Sequence, residues 1–201
     1  MSTNSASDHS PVPTDRSAGV PRAVAGASRP GQNARTTATA DGTAAAPLWA
    51  TLIATFFGVG RLKPGPGTWA SAAAVLLWAA LCRSLTPNLR TATAFVLAAV
   101  ISAVGIPAAT RVSRSCGSKD PQKVVIDEVA GQLIALIGVP LAWKTFLTGF
   151  ILFRAFDIVK PPPIRQLEKL PEGAGIVLDD VAAGICALVV VQLILHSGLL
   201  K

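Results

Sequence analysis

The sequence predicts an all-α fold, a multi-helix membrane-associated bundle behind a disordered N-terminal tail. Three observations predict it. Apolar residues make up 51% of the 201 and charged residues only 14%, an oily composition for a domain bathed in water. Long apolar stretches follow one another from residue 68 onwards, bounded by turn or charge signals. The charges outside the tail gather at the edges of those stretches.

Residues 1–46 are rich in Ser, Thr, Ala, Gly and Pro and carry four scattered arginines with no apolar period. Such a stretch buries too little surface to offset the entropy of ordering it, so it is expected to be disordered. It has no continuous apolar run of the kind a secretory signal needs. The folded domain is expected over 47–201.

The first apolar stretch, 68–82, is uncharged, and Arg83 can reach back to water from its end; it predicts a helix over 68–85. The second, 91–110, is uncharged as well. The third, 129–153, contains only Lys144 and is broken by Gly138-Val139-Pro140, a turn signal. It is expected to fold as a helical hairpin, 128–138 and 142–156, with arms of roughly 16–22 Å at the α-helical rise. The fourth, 181–200, contains only His196 and predicts a helix over 178–199. A membrane span needs about 20 apolar residues, so the second and fourth qualify and the first is marginal.

The hairpin has a consequence for topology. It returns the chain to its starting side, so segments 58–68, 111–128 and 154–180 share one face. Ten Lys and Arg outside the tail fall on that face, against Arg83, Arg90, Lys144 and Lys201 on the other. An excess of basic residues marks the cytoplasmic side of a bacterial inner membrane. The rival at this level is an unusually apolar water-soluble helical bundle.

The net charge of +7 suits either nucleic acid or anionic lipid. With no Tyr, no zinc-ligand spacing and no basic aromatic surface, nucleic-acid binding is not expected. Cys82, Cys116 and Cys186 are odd in number and form no C-x-x-C, which predicts reduced thiols.

Five of the eight acids outside the tail sit at the edges of apolar helices: Asp127, Glu128, Asp157, Asp179 and Asp180. An ionised carboxylate beside hydrocarbon is costly unless it is paired or binds a cation. Hard oxygen donors gathered at one depth suit Mg²⁺, which keeps waters and phosphate oxygens in its remaining positions. The segment 124–130 (VVIDEVA) also echoes 176–182 (IVLDDVA), suggesting two similar helix starts facing one metal site. Helix capping by Asp127 and Asp179 is the plainer alternative, but it leaves the second acid of each pair unexplained. For Asp157 the plainer alternative is an ion pair with Arg154 or Lys160.

Two segments suit a phosphate. The loop FGVGRLKPGPGT, 57–68, opens into a helix whose free N–H groups favour an anion, with Lys63, Gly67 and Thr68 as candidate contacts and Thr68 as a candidate cap. The segment FRAFDIVKPPPIR, 153–165, offers Arg154, Lys160 and Arg165, with its three prolines expected to stiffen the chain as polyproline II. Several other chemistries lack their motifs. The histidines are His9 in the tail and His196 at the far end, no cysteine-phosphatase loop or D-x-D occurs, and there is no G-K-[ST] loop. Metal-assisted attack of water on phosphorus remains.

These motifs resemble the phosphatidylglycerophosphatase A family from about Thr51 to Leu195. The resemblance rests on FGVGRLKPGPGT at 57–68, VVIDEVAGQ at 124–132, FRAFDIVKPPPIR at 153–165 and EGAGIVLDDVAAG at 172–184. It implies one central helix ringed by others. It also implies Mg²⁺-dependent hydrolysis of phosphatidylglycerophosphate to phosphatidylglycerol and phosphate, at the cytoplasmic face of the bacterial inner membrane. Some members carry a His ahead of V-x-x-D-E, where this chain has Asp120-Pro121-Gln122-Lys123.

The expected site therefore has Asp127, Glu128, Asp157 and Asp179 holding the metal, with Asp180 joining them in orienting or deprotonating water. Lys63, Gly67, Thr68, Arg154, Lys160 and Arg165 neutralise the phosphate. The rival from another class is a cation-binding or transport membrane protein using the same carboxylates at the bilayer midplane. A phospholipid phosphotransferase would show a D-G-x-x-A-R motif, which this chain lacks. Oligomeric state is not legible from the sequence.

Overall fold

The computed structural model describes residues 45–199, and among them every regular element is helical. The segment expected to be a disordered tail falls, up to residue 44, outside the described residues, as does Lys201. The elements are α1 (Leu48–Ala54), a 3₁₀ turn (Val59–Arg61), α2 (Pro66–Cys82), α3 (Pro87–Cys116), α4 (Ile126–Ala135), α5 (Trp143–Val159), α6 (Ile164–Leu167) and α7 (Glu172–His196).

Local chemistry sets most boundaries. Helix α2 starts two residues before the expected 68, because Gly65 takes the left-handed cap position (φ 66°) and Pro66 is the first helical residue. Thr68 therefore lies inside the helix and caps nothing. Helix α3 likewise starts on a proline, Pro87, runs through Pro107, and ends at Gly117 in the left-handed conformation (φ 63°). It outruns the expected 91–110 at both ends, from its Pro87 start to its Gly117 cap, and Pro107 does not end it. Arg90 Nε donates to the carbonyls of Cys82 and Leu85 at 2.9 Å each, covering the open end of α2.

The interrupted apolar stretch is a hairpin, as expected, with arms α4 and α5 meeting around Gly138 (φ 69°) and Pro140. The arms differ from the expected ranges: α4 is about 15 Å long and α5 about 25 Å at the α-helical rise. Helix α5 ends where Lys160 turns into the left-handed region (φ 45°) ahead of Pro161. The three prolines do not form polyproline II. Ile164 N–H donates to Pro161 O at 2.9 Å and Pro163 is in the right-handed helical region, so the segment is a tight turn into α6. Helix α7 starts at Glu172, six residues before the expected 178, and the Arg114 guanidinium grips Glu172 through two hydrogen bonds of 2.7 and 2.9 Å.

The central helix is α4, with nine of its ten residues buried, packed against α2, α3, α5 and α7. Glycines allow its closest approach. A Cβ on Gly184 would strike the backbone of Gly131, and one on Gly131 would strike the Asp180 carbonyl and the Phe153 ring. Beyond Gly184 on α7, Gln192 Nε2 donates to Ile137 O at 3.0 Å, so α4 and α7 run in the same direction.

Two helices, α3 and α7, are long and apolar enough to cross a membrane, at about 45 and 37 Å by the helical rise. Leu76, Phe95, Val100, Ile151, Val189 and Leu193 stand exposed along the helix middles. So wide an apolar surface suits a lipid environment or a partner.

Candidate functional site

The starts of α2 and α4, the end of α5 and the first turns of α7 meet around a cavity of about 540 Å³. Lys63, Gly67, Asp127, Glu128, Asp157, Arg154, Lys160, Asp179 and Asp180 all line it. The segments expected to share one face therefore do so, although they lie up to 117 residues apart in the chain. Thr68 and Arg165 are exposed and do not line the cavity.

Its floor is acidic. One oxygen from each of Asp127, Glu128 and Asp180 lies within 4.8 Å of the other two. Asp127 and Glu128 occupy the first turn of α4, where the positive end of the helix dipole favours them. Asp180 belongs to the third turn of α7, not to a helix start, because α7 begins at Glu172. The two echoing segments thus meet, one at a helix start and one inside a helix. Capping explains none of these acids: no side chain caps α4 or α7.

These carboxyls are short of partners. Asp127 Oδ1, Glu128 Oε2 and Asp180 Oδ2 are buried without a hydrogen bond. Burial first, then the charges of Glu128 and Asp180, push the Asp127 carboxyl well above the usual carboxylate range. Burial raises Glu128 as well, with the hydrogen bond to Asp127 and the charge of Arg154 opposing it and that of Asp157 adding to it. Three carboxylates that gather so closely, each with a buried oxygen short of a partner, are a donor set that fits a divalent cation preferring oxygen. Without one, the site keeps protons or suffers repulsion.

The cations are arranged around that floor. Arg154 Nη1 stands 2.7 Å from Asp157 Oδ2 and 3.9 Å from Glu128 Oε1. The first contact is the i, i+3 ion pair foreseen as the plainer reading of Asp157. Yet Arg154 Nε and Nη1 make no hydrogen bond of good geometry, so the guanidinium keeps buried donors to offer. Lys160 Nζ donates to Asp179 Oδ2 at 2.6 Å and lies 4.0 Å from Glu168. Burial alone would lower the Lys160 ammonium, but the bond to Asp179 and the charges of Asp179 and Glu168 hold it above its ordinary range. Asp179 therefore faces a lysine, while its neighbour Asp180 faces the acidic trio.

Gly67 is the contact point between α2 and this floor. A Cβ there would collide with the Glu128 carboxylate and come within 3.2 Å of Arg154 Nη1. Lys119, Asp120, Gln122 and Glu168 also line the cavity and were not singled out as site residues from the sequence. The only signal available for them was their position in loops on the shared face.

The sequence of the phosphatidylglycerophosphatase A family matches residues 52–195. A protein of Haemophilus influenzae named phosphatidylglycerophosphatase A is 39% identical over 142 residues, covering 70% of this chain and 85% of its own. A putative phosphatidylinositol-3-phosphatase of Bacteroides thetaiotaomicron is 37% identical over 143 residues, covering 70% and 89%. An Escherichia coli phosphatidylglycerophosphatase A is 31% identical over 148 residues, covering 72% and 83%. No solved structure matches the chain.

Proposed function

The chain belongs to the phosphatidylglycerophosphatase A family and is a phosphatase, and on that premise we propose that it hydrolyses the terminal phosphomonoester of phosphatidylglycerophosphate. The products are phosphatidylglycerol and phosphate, the reaction serves phospholipid synthesis, and the cofactor is Mg²⁺. The protein sits in the bacterial inner membrane with its cavity open to the cytoplasm. Support for that location comes from the apolar helices α3 and α7 and from the basic residues around the cavity.

The observation that carries the reading is the trio Asp127, Glu128 and Asp180, each with a buried oxygen lacking a partner, beside two cations suited to a phosphate. The trio would hold the ion, with Asp157 alongside. A bound Mg²⁺ supplies charge neutralisation on the phosphoryl oxygens and lowers the pKa of a water. The residues do the rest. Arg154, anchored by Asp157, turns its free N–H donors to the phosphate, where negative charge grows as the P–O bond to the lipid glycerol breaks. Lys160, fixed by Asp179, adds a second positive charge at the same wall. Gly67 brings the start of α2 against Glu128 and Arg154, so its own backbone N–H adds to the anion cradle. One of the carboxylates around this floor would take the proton from attacking water. Asp179 supports this arrangement through Lys160.

Phosphate release from the purified protein in detergent tests the proposal. Phosphatidylglycerophosphate should be turned over with Mg²⁺ and preferred to phosphatidic and lysophosphatidic acids. EDTA should stop the reaction and added Mg²⁺ restore it. No release from phosphatidylglycerophosphate under any divalent cation would overturn the substrate; undiminished release in EDTA would overturn the metal.

A further inference from the structure

Beside the acid-floored cavity lies a second recess of about 400 Å³, lined by Gly60, Arg61, Lys63, Pro66, Pro121, Gln122 and Lys123. The two share a wall, since Lys63, Pro66 and Gln122 line both. Their chemistry is opposite. The first has an acidic floor; the second has three cations and no carboxylate. Among the described residues, Arg61, Lys63 and Lys123 pair with no acid.

The backbone enforces this grouping. Gly60 packs so closely on the Lys123 carbonyl that a Cβ would overlap it, and Val125 N–H donates to Ala54 O at 2.8 Å. Together these contacts clamp the loop after α1 against the loop before α4. Three cations lining one recess, with no acid among its walls, give it a positive potential that favours an anion.

We infer that the Arg61–Lys63–Lys123 recess binds the internal phosphodiester of the lipid headgroup, while the terminal phosphomonoester occupies the acidic cavity next door. The inference rests on the substrate reading above. Phosphatidylglycerophosphate carries one phosphate of each kind, joined through a glycerol, and the shared Lys63–Pro66 wall is where that linker crosses. Metal and protein share the labour by charge: the carboxylates need a cation to accept a phosphate, whereas the recess accepts one directly. It therefore distinguishes lipids with two phosphates from phosphatidic acid, which has only a monoester.

The test uses the full chain in uncharged detergent micelles, which remove any anionic surface for the lysines to follow. Arg61→Ala/Lys123→Ala should raise KM for phosphatidylglycerophosphate by about tenfold or more, the scale of a lost charge-assisted contact, with kcat little changed. KM for phosphatidic acid should stay within about twofold. Arg61→Lys/Lys123→Arg, which keeps both charges, should retain the KM of the unmodified protein and shows that the loop folds when substituted. Equal losses on both lipids, or no change on either, overturns the inference. If the unmodified protein hydrolyses phosphatidic acid but not phosphatidylglycerophosphate, the substrate reading itself has failed, and the inference falls with it.

Discussion

The segments 124–132 and 176–184 are near-copies in sequence, each running from aliphatic residues through two acids to a glycine, yet the fold uses them differently. In the first, Asp127 and Glu128 both enter the acidic trio. In the second, Asp180 joins that trio while Asp179 turns to Lys160 at 2.6 Å. The glycines differ less: Gly131 and Gly184 meet at one crossing and bring the two helices to backbone contact. Similar local sequence thus supplies similar helices, and the neighbour each side chain meets decides its chemistry. On α4 the second acid points at Arg154 and the floor; on α7 the first acid points at the end of α5.

The sharpest way to break this comparison is to remove one carboxylate charge from each side of it. Asp127→Asn or Asp180→Asn should cut phosphate release by roughly 10²–10³-fold, the scale for losing one preorganised electrostatic element. In EDTA either variant should melt no lower than the unmodified protein, because it removes a like charge from a repelling trio. Turnover close to normal would undo the assignment of these residues.

Asp179→Asn should behave in the opposite way on stability. It leaves Lys160 without its close counter-charge, so melting should fall even in EDTA, and release should drop by roughly 10–100-fold, as for other groups acting through a neighbour. Equal behaviour of Asp179→Asn and Asp180→Asn in both measurements would erase the distinction drawn between the two acids.

The crossing itself is tested by Gly184→Ala. Its Cβ would meet backbone atoms of Gly131, which cannot swing away like a side chain, so unfolding free energy should fall by about 1–3 kcal/mol. An unchanged denaturation midpoint would mean that the helices are less tightly joined there. The smallest effects belong to Thr68→Ala and Arg165→Ala, exposed residues outside the cavity, where release should stay within about twofold. A large loss at Arg165 would mean that α6 swings over the cavity when the lipid binds.

Much of the fold was legible because apolar stretches and their punctuation are local properties. Gly138 and Pro140 marked the hairpin, and Gly117 ended α3 by the left-handed conformation that glycine adopts readily. Helix α1 escaped notice because seven residues make no long apolar run. Helix α7 begins before the expected 178 because Gly173 lets the stretch after Pro171 lie helical against Ile106 and Thr110 of α3. Prolines 161–163 suggested an extended rod, but the turn bond from Ile164 to Pro161 folds them back.

By itself the sequence determined which acids and bases border the apolar stretches, and the hairpin that returns them to one side. Those follow from hydrophobic period and turn chemistry, which act over a few residues. Only the tertiary structure decided that Asp180 rather than Asp179 closes the trio, that Arg165 and Thr68 stay outside, and that Arg61, Lys63 and Lys123 gather beside it. Such choices depend on helix rotation and on backbone contacts between segments far apart in the chain, and no local pattern encodes a rotation of one helix against another.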